Sequence, residues 1–161
     1  MAMEIRGMKE VISNLNKELD LIDNKTLRGL IRSAIIIRRD MEKTPPLIPV
    51  DTGNLRASFF TVTKKGSVSS PNFRSTKDKK VNVGEMSANH SKAISEASSQ
   101  VNTTKEPTLV LGFSAKYATK VHEDTESHRK KEGSGPFFLS QALQRNRKRI
   151  IDLVRREAKI K

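Results

Sequence analysis

The chain lacks cysteine and tryptophan, and only 4% of its 161 residues are aromatic. Without cysteine it cannot form disulfides, thiolate zinc sites or iron-sulfur clusters, and it cannot use a cysteine nucleophile. One tyrosine and six phenylalanines leave few rings on which nucleic-acid bases could stack. Cysteine-dependent enzymes are therefore excluded, and RNA-binding modules that stack bases are disfavoured.

Long hydrophobic runs are also missing. The longest is Ala34-Ile35-Ile36-Ile37, whereas a membrane-spanning helix needs about 20 apolar residues. The N-terminus alternates charged and apolar residues and builds no signal-peptide core, so we expect a soluble, unsecreted protein without a membrane partner. Hydrophobic residues make up 35% of the chain, which predicts one core within a single domain, residues 1–161, and a further part that becomes ordered only on a partner.

Apolar residues recur at three- and four-residue spacing near the N-terminus, the pattern of an amphipathic helix. They form two stripes, the first of Met8, Val11, Ile12, Leu15, Leu19 and Ile22 and the second of Leu27, Leu30, Ile31, Ala34, Ile35 and Met41. Asp23 and Asn24 interrupt the pattern, so the sequence predicts two helices or one bent helix. Pro45-Pro46 cannot continue a helix, and the helical part should therefore end near Lys43.

The segment Pro-Val-Asp-Thr-Gly-Asn-Leu-Arg-Ala-Ser follows, and it predicts a turn that leads into a sheet. Asp51 or Thr52 can cap a short turn over residues 54–57 by accepting a free backbone N–H. Gly53 allows a tight backbone, and Leu55 is expected to point to the core. These local roles account for the residue types without any further function.

Two segments, residues 59–63 and 108–113, have the β-branched and aromatic content of strands and are predicted to pair. Between them the composition changes to serine, threonine, asparagine and lysine with scattered apolar residues. A long polar stretch inside a small domain is typical of a functional arm, a partner-ordered loop or disorder. We therefore predict that residues 65–106 form a polar arm or insertion loop, within which residues 87–100 show a weak amphipathic pattern.

One helical turn over residues 117–122 and a long C-terminal helix complete the pattern. The C-terminal helix is marked by the apolar residues Leu139, Leu143, Ile150, Leu153 and Val154. The predicted fold class is therefore α+β: a small antiparallel sheet flanked by N-terminal helices and a long C-terminal helix, with a long polar insertion between strands.

The sequence contains no recognisable catalytic constellation. His122 and His128 flank three acidic residues, but their spacing differs from the His-Glu-x-x-His helix, and a charged, solvated loop accounts for them better than a metal site. Gly133-Ser134-Gly135 is too short to cradle a phosphate, and no serine lies in a Gly-x-Ser-x-Gly elbow. We therefore predict no enzymatic activity, no catalytic residue, no cofactor and no metal.

Positive charge is the strongest bulk signal, because 31 lysines and arginines against 18 acidic residues give a net charge of +13. The candidates for contacts with an acidic partner or DNA lie near the C-terminus: Arg145, Arg147, Lys148, Arg149, Arg155 and Arg156. Such density attracts phosphate chains with salt-sensitive affinity, and an acidic protein would neutralise the same field. A solvated helix face, with last-turn cations favoured by the helix dipole, is the simpler alternative.

Three segments outside the insertion resemble the small neck and tail-completion proteins of long-tailed bacteriophages. Residues 49–58 resemble that family's Pro-Val-Asp-Thr-Gly-x-Leu-Arg-x-Ser signature. Tyr117-Ala118-x-x-Val121-His122-Glu123 is similar to its second signature, and Pro136-Phe137-Phe138-Leu139 before a closing helix is similar to its third. The order of helices, signatures and strands also agrees with the family.

The resemblance implies a structural protein of the virion, assembled in the host cytoplasm, that forms a ring where the capsid meets the tail. Its partners would be further copies of itself, in a ring of about 6 or 12. A head-closure or connector protein would lie on one side and a tail-terminator or tail-tube protein on the other, with DNA passing through the lumen. A basic nucleic-acid-binding module is the alternative function.

The signature residues would then serve in turns or at interfaces. They are Pro49, Val50, Asp51, Thr52, Gly53, Leu55, Arg56, Ser58, Tyr117, Ala118, Val121, Pro136 and Phe137. Arg56 is expected to fork onto a carboxylate of the same or a neighbouring subunit, because a guanidinium binds a carboxylate with two parallel hydrogen bonds. Tyr117 and Phe137 are expected to be core anchors.

Overall fold

The computed structural model of the protein describes residues 8–75, 81–126 and 132–159. In chain order the elements are α1 (Met8–Lys43), α2 (Asn54–Ala57), β1 (Phe59–Thr63), β2 (Gly66–Ser69), α3 (Val83–Thr103), β3 (Leu109–Phe113), α4 (Ala118–Glu123) and α5 (Phe138–Ala158). The predicted α+β class, with a small antiparallel sheet and long terminal helices, is confirmed. Among the described helices, none combines the length and the apolar character that a bilayer crossing requires.

The N-terminal helical region is one continuous helix of 36 residues, and it ends at Lys43 as the two prolines predict. It runs through Asp23 and Asn24, where the sequence allowed for a break. Each of these residues disfavours a helix by no more than about 0.7 kcal/mol. Continuing an existing helix costs less than nucleating a second one, so the interruption has no structural effect.

The sheet has three strands in the order β2-β1-β3, and both pairings are antiparallel. The predicted pairing of the two apolar segments is confirmed, with Phe60 opposite Gly112 and Thr61 opposite Leu111. The hairpin partner β2 was not predicted, because its residues are glycine, serine and one valine and carry little strand signal. Gly66 begins β2 at φ 131°, a conformation that favours glycine.

Hydrophobic side chains form two clusters on opposite faces of β1. The main cluster contains Ile37, Met41, Ile48, Leu55, Phe59, Ala115, Phe138 and Ala142. The second contains Phe60, Val62, Ala97 and Val101. Because neighbouring residues of a strand point to opposite faces, Phe59 joins the first cluster and Phe60 the second.

The segment predicted to be a polar arm lies between β1 and β3, but most of it packs against the sheet. Its helix α3 begins where the Asn82 side chain accepts a hydrogen bond from the Glu85 N–H at 3.0 Å. Ala97 and Val101 of this helix are 5% and 0% exposed against the strand face that carries Phe60. Helix α3 is therefore part of the packed domain, within an insertion between β1 and β3 that also contains β2. The fully buried residues of α3 are His90, Ala97 and Val101, and a histidine and an alanine give a weaker hydrophobic signal than leucine or isoleucine.

Helix α5 packs antiparallel to the C-terminal half of α1. Near one end Arg145 contacts Asp40, and near the other Gly29 faces Val154. A Cβ atom on Gly29 would stand only 2.9 Å from the Val154 Cα, so glycine is what allows the two helices to approach this closely. Leu143, predicted in the apolar stripe of the C-terminal helix, is 40% exposed.

Candidate assembly surfaces

The turn between α1 and β1 is held by residues of the first signature segment. The Thr52 hydroxyl accepts a hydrogen bond from the Asn54 N–H at 3.3 Å, and Gly53 occupies the N-cap position of α2 at φ 84°. Leu55 is 5% exposed in the main cluster, and the Ser58 hydroxyl donates to the Leu55 carbonyl at 2.8 Å. The predicted turn, the Thr52 hydroxyl as an acceptor of a free backbone N–H and the core position of Leu55 are confirmed, and the residue at the N-cap position itself is the left-handed Gly53.

Asn54 is the residue of this segment whose role the sequence did not indicate. It is 1% exposed. Its amide donates to the Arg74 carbonyl at 2.9 Å, and its side-chain oxygen accepts from the Arg74 N–H at 2.8 Å. This pair fixes the chain that follows β2 against the turn. No pattern could have indicated it, because the partner is a backbone group 20 residues away.

The second and third signature segments are joined to each other through His122. The Phe137 N–H donates to the His122 carbonyl at 2.6 Å. The imidazole lies edge-on to Phe137 and Phe138, with ring centroids 5.8 and 4.8 Å apart. Phe137 adopts φ 57°, which is uncommon for a residue other than glycine, immediately before α5 begins.

All three signature segments meet at the main hydrophobic cluster. They contribute Leu55 from the first segment, Ala118 and Val121 from the second, and Phe138 and Leu139 from the third. Just before the first segment, the Leu47 N–H donates to the Gly133 carbonyl at 2.8 Å, and Leu47 forms an isolated parallel bridge with Ser134. Segments that are distant in sequence therefore share one core.

The two predicted aromatic anchors are not core residues. Tyr117 is 41% exposed and Phe137 is 40% exposed, whereas the neighbouring Phe138 is 1% exposed and fills the core position. Partial burial, with a further effect from the Asp51 carboxylate, raises the pKa of Tyr117 above its ordinary value. The half-buried signature residues are Pro49, Val50, Thr52, Gly53, Arg56, Ala118, Val121 and Pro136. The two exposed rings make this region a candidate contact surface.

Arg56 makes a long contact with a carboxylate of its own subunit, and a fork onto a neighbouring subunit stays a prediction. Its Nε lies 3.9 Å from the Glu42 carboxylate, which is beyond hydrogen-bonding distance, and has no hydrogen-bond partner among the described residues. The same carboxylate accepts from Arg38 Nε at 3.4 Å, and the Arg38 guanidinium stands 5.0 Å from the Phe59 ring centroid. Arg38 therefore makes the closer contact with Glu42, and Arg56 is paired with the same carboxylate only weakly.

A groove of about 870 Å³ runs between α1 and α5. Six of its ten lining residues are basic, one is acidic and three are apolar: Arg32, Arg39, Arg145, Lys148, Arg149, Arg156, Asp152, Ile35, Ile36 and Leu153. We call this surface the basic groove. It contains four of the six C-terminal cations singled out in the sequence, whereas Arg147 and Arg155 lie outside it.

Two of these cations are held by acidic side chains. Arg145 donates to one Asp40 carboxylate oxygen from Nη2 at 2.6 Å and from Nε at 3.1 Å, and its Nη1 donates to the Pro45 carbonyl at 3.0 Å. Arg32 pairs with Glu157. The other four basic side chains make no hydrogen bond or ion pair within the part of the chain that the structure describes. They leave the groove with uncompensated positive charge.

The N-terminal part of α1 extends away from the rest of the protein. Residues 9–21, which we call the free segment, are all exposed. Its apolar stripe includes Val11, Ile12, Leu15 and Leu19, with exposures of 56%, 51%, 56% and 55%. These side chains recur at helical spacing on one face, so they form a continuous apolar surface.

Two histidines lie at packed positions. His90 is 4% exposed, its Nδ1 shares a 2.7 Å hydrogen bond with the Ser114 hydroxyl, and its ring lies edge-on to Phe60. Burial lowers the pKa of His90 below the ordinary value. Burial also lowers the pKa of His122, against a smaller opposing effect of the neighbouring Glu123 carboxylate. Both imidazoles are thus favoured in the neutral form.

Residues 8–75, 81–126 and 132–159 contain no group of three or more histidine or acidic side chains that could hold a metal ion. His128 lies outside these ranges. His122, its possible partner in the sequence, packs against Phe137 and Phe138 instead.

Comparison of the chain with models of known protein families, with characterised proteins and with solved structures finds no match. The likeness of the three signature segments to phage neck proteins therefore stays a prediction made from the sequence. The structural findings on these segments are their common core and the two exposed rings.

Proposed function

We propose that the chain is a structural protein of the phage neck, which joins the capsid connector to the tail as a homo-oligomeric ring. The observation that carries the proposal is the meeting of the three signature segments in one hydrophobic cluster. The three segments are far apart in sequence: residues 49–58, 117–123 and 136–139. If they resembled the family's signatures only by chance, they would have no reason to share one core. They act together as the framework of one small fold.

The exposed surfaces support a role in assembly. A ring subunit binds its neighbours head to tail through two different patches, and closure of the rotation fixes the number of copies. The protein presents an apolar free segment at one end of α1 and a basic groove beside the other half of the same helix. Exposed rings at Tyr117 and Phe137 offer a further contact for a connector or tail protein. The proposal assigns no catalytic residue.

The test is assembly with the adjoining components. The full chain is purified alone and together with connector and tail-tube proteins of the same virus, and each sample is examined by mass measurement and particle imaging. We expect a closed ring on the axis at the junction of capsid and tail. A chain that stays monomeric in every mixture and never enters particles would contradict the proposal.

A nucleic-acid-binding module is the second candidate, and the basic groove is the observation that favours it. Four unpaired cations in one groove suit a phosphate backbone, whose binding releases counterions and weakens steeply with salt. Titration of duplex DNA at two salt concentrations tests this function. We expect a steep loss of affinity if the groove binds phosphates, and salt-independent or undetectable binding would exclude it.

A further inference from the structure

The free segment and the basic groove are complementary surfaces of the same chain. Three apolar side chains line the groove, among them Ile35, which is 48% exposed, and we call them its apolar floor; its six cations we call its rim. The free segment has an apolar stripe of four side chains, each more than half exposed. An amphipathic helix that lays its apolar face into a groove is a common mode of protein recognition.

Charge also matches between the two surfaces. The free segment contains two lysines and three acidic residues, a net charge of −1 in a chain whose total is +13. Glu18 lies three residues after Leu15 and flanks the apolar stripe within the free segment, and Asp23, two residues beyond the segment, lies four residues after Leu19 on the other flank. The flanks of the stripe therefore carry the sign that the rim of the groove attracts.

The dimensions agree as well. At about 1.5 Å per residue, the free segment is about 18 Å long, and the part of α5 that lines the groove, residues 145–156, is about 17 Å long. One helix of this length can therefore lie along the whole groove.

The free segment cannot reach the groove of its own subunit. It belongs to the same continuous helix as Arg32, the first groove residue of α1, and residue 21 precedes Arg32 by eleven positions. At about 1.5 Å per residue, the nearer end of the free segment lies about 16 Å from the groove along the helix axis. Occupying its own groove would require the helix to break, so the occupant must come from another molecule.

We propose that the free segment of one copy docks in the basic groove of the next copy. This inference rests on the proposed ring assembly and names the two surfaces that would build it. The contact is heterologous, because a helix end meets a groove elsewhere on the partner, and repetition of the contact produces a closed ring when the rotation closes. A DNA backbone is the less favoured occupant, because it gains nothing from the apolar floor at Ile35 and is repelled by Asp152.

Cysteine pairing tests the contact directly, because the natural chain has no cysteine. Full-length Leu15→Cys and Ile35→Cys chains are mixed under mild oxidation, in the presence of the adjoining neck proteins. A disulfide needs Cα atoms within about 7 Å, so it forms only where the stripe lies on the groove floor. We expect a covalent dimer from the mixture, and a ladder of covalent oligomers from the double variant.

The matched control is Ser13→Cys mixed with Ile35→Cys, because Ser13 is exposed on the opposite face of the same helix. We expect this mixture to give at least about tenfold less covalent dimer, since its Cα atoms would lie beyond disulfide range. Equal cross-linking of Ser13→Cys would overturn the inference. Efficient dimerisation of Leu15→Cys alone would also overturn it, since free segments would then pair with each other.

Charge reversal provides a second readout that needs no cross-link. Lys148→Glu combined with Arg149→Glu should weaken self-association about tenfold or more, because the acidic flanks of the segment would meet like charge. Arg147→Glu combined with Arg155→Glu changes the net charge equally outside the groove and should leave association within about twofold. Sedimentation velocity measures both variants. Equal effects of the two pairs would contradict the docking geometry.

The outcomes separate this inference from the proposed function. Rings that form and enter particles without the expected Leu15–Ile35 cross-link would refute the docking mode and leave the neck assignment standing. A chain that never associates would refute both. Loss of DNA binding in the groove variants, with association unchanged, would assign the groove to nucleic acid instead.

Discussion

The two halves of α1 carry the same kind of apolar stripe but have different surroundings. In the C-terminal half, Ala34 and Met41 are 4% and 0% exposed, whereas Val11 and Leu15 in the N-terminal half are both 56% exposed. Helix α5 lies against the first pair, and no described element lies against the second. Periodicity therefore predicts a helix and its apolar face, but not whether the same subunit covers that face.

The difference also concerns how the helix is maintained. An isolated helix of about 12–15 residues is marginal in water, because nucleation is costly and stability comes from packing. The free segment is helical as an extension of a packed helix, so it needs only propagation. Its exposed leucines are each able to contribute about 1.5–3 kcal/mol on burial, which the isolated subunit does not use.

The strongest test of this comparison is to truncate one side chain of the apolar stripe to alanine in each half of α1. Met41→Ala should destabilise the fold by about 2–5 kcal/mol, because it removes a fully buried side chain from the main cluster and leaves a cavity. Leu15→Ala should change the unfolding free energy of the monomer by less than about 0.5 kcal/mol. Urea unfolding followed by circular dichroism measures both. A large effect at Leu15 would mean that the monomer already covers the stripe.

A smaller effect is expected at the closest approach of α1 and α5. Gly29→Ala places a methyl group 2.9 Å from the Val154 Cα, a backbone atom that cannot turn away. We expect a net loss of about 1–2 kcal/mol, since the packing strain exceeds the roughly 1 kcal/mol by which alanine favours a helix. Ser13→Ala in the free segment is the control and should be neutral or slightly stabilising. Thermal unfolding distinguishes them, and a stabilised Gly29→Ala protein would show that the helices can separate without cost.

The secondary structure could be read from the sequence wherever one strong signal decided it. The cyclic side chains of Pro45-Pro46 predicted the end of α1, and β-branched and aromatic content predicted β1 and β3. The packing of α3 could not be read, because its fully buried residues, His90, Ala97 and Val101, do not stand out in a polar stretch. The order of two adjacent phenylalanines was also misjudged: Phe138 is the anchor, and Phe137 is the exposed one.

The candidate surfaces were harder to predict than the fold. The sequence indicated the C-terminal cations, but not that Arg145 would be held by Asp40 or that Arg147 would lie outside the groove. These facts depend on the rotation of α5 against α1, which the glycine contact with Val154 helps to set. A linear pattern contains no information on that rotation, so the groove exists only in the folded arrangement.

The contact between Arg145 and Asp40 joins α5 to the packed half of α1, and its removal tests how much it stabilises that half. Arg145→Ala removes both hydrogen bonds to Asp40 and leaves that carboxylate, which is 16% exposed, without its partner. We expect a loss of about 1 kcal/mol, near the low end for a charge-assisted contact because the guanidinium is partly solvated. The control is Arg147→Ala, two residues further along α5 and outside the groove, which should have no measurable effect on stability. Equal melting temperatures for the two variants would show that the Arg145–Asp40 contact contributes nothing to stability.

The smallest expected effect is a pH dependence confined to the packed region. Burial lowers the pKa of His90 and His122 in the folded state, whereas both titrate near about 6.5 when unfolded. As pH falls below that value, the unfolded chain takes up protons that the folded chain does not, so stability decreases with acidification. We expect the melting temperature to fall by a few degrees between about pH 7 and pH 5.

The control for this effect is His122→Phe. The His122 Nδ1 is buried without a hydrogen-bond partner among the described residues, and its ring packs on Phe138, so a phenyl ring keeps the packing and loses nothing at that atom. This variant should flatten the pH dependence, because one of the two titrating groups is gone. Hydrogen exchange of the unmodified protein, corrected for the intrinsic effect of pH, should show that acidification reduces protection only in the half of α1 that packs in the main hydrophobic cluster. An equal loss over residues 9–21 would mean that the two halves unfold together, and the comparison between them would then have no thermodynamic meaning.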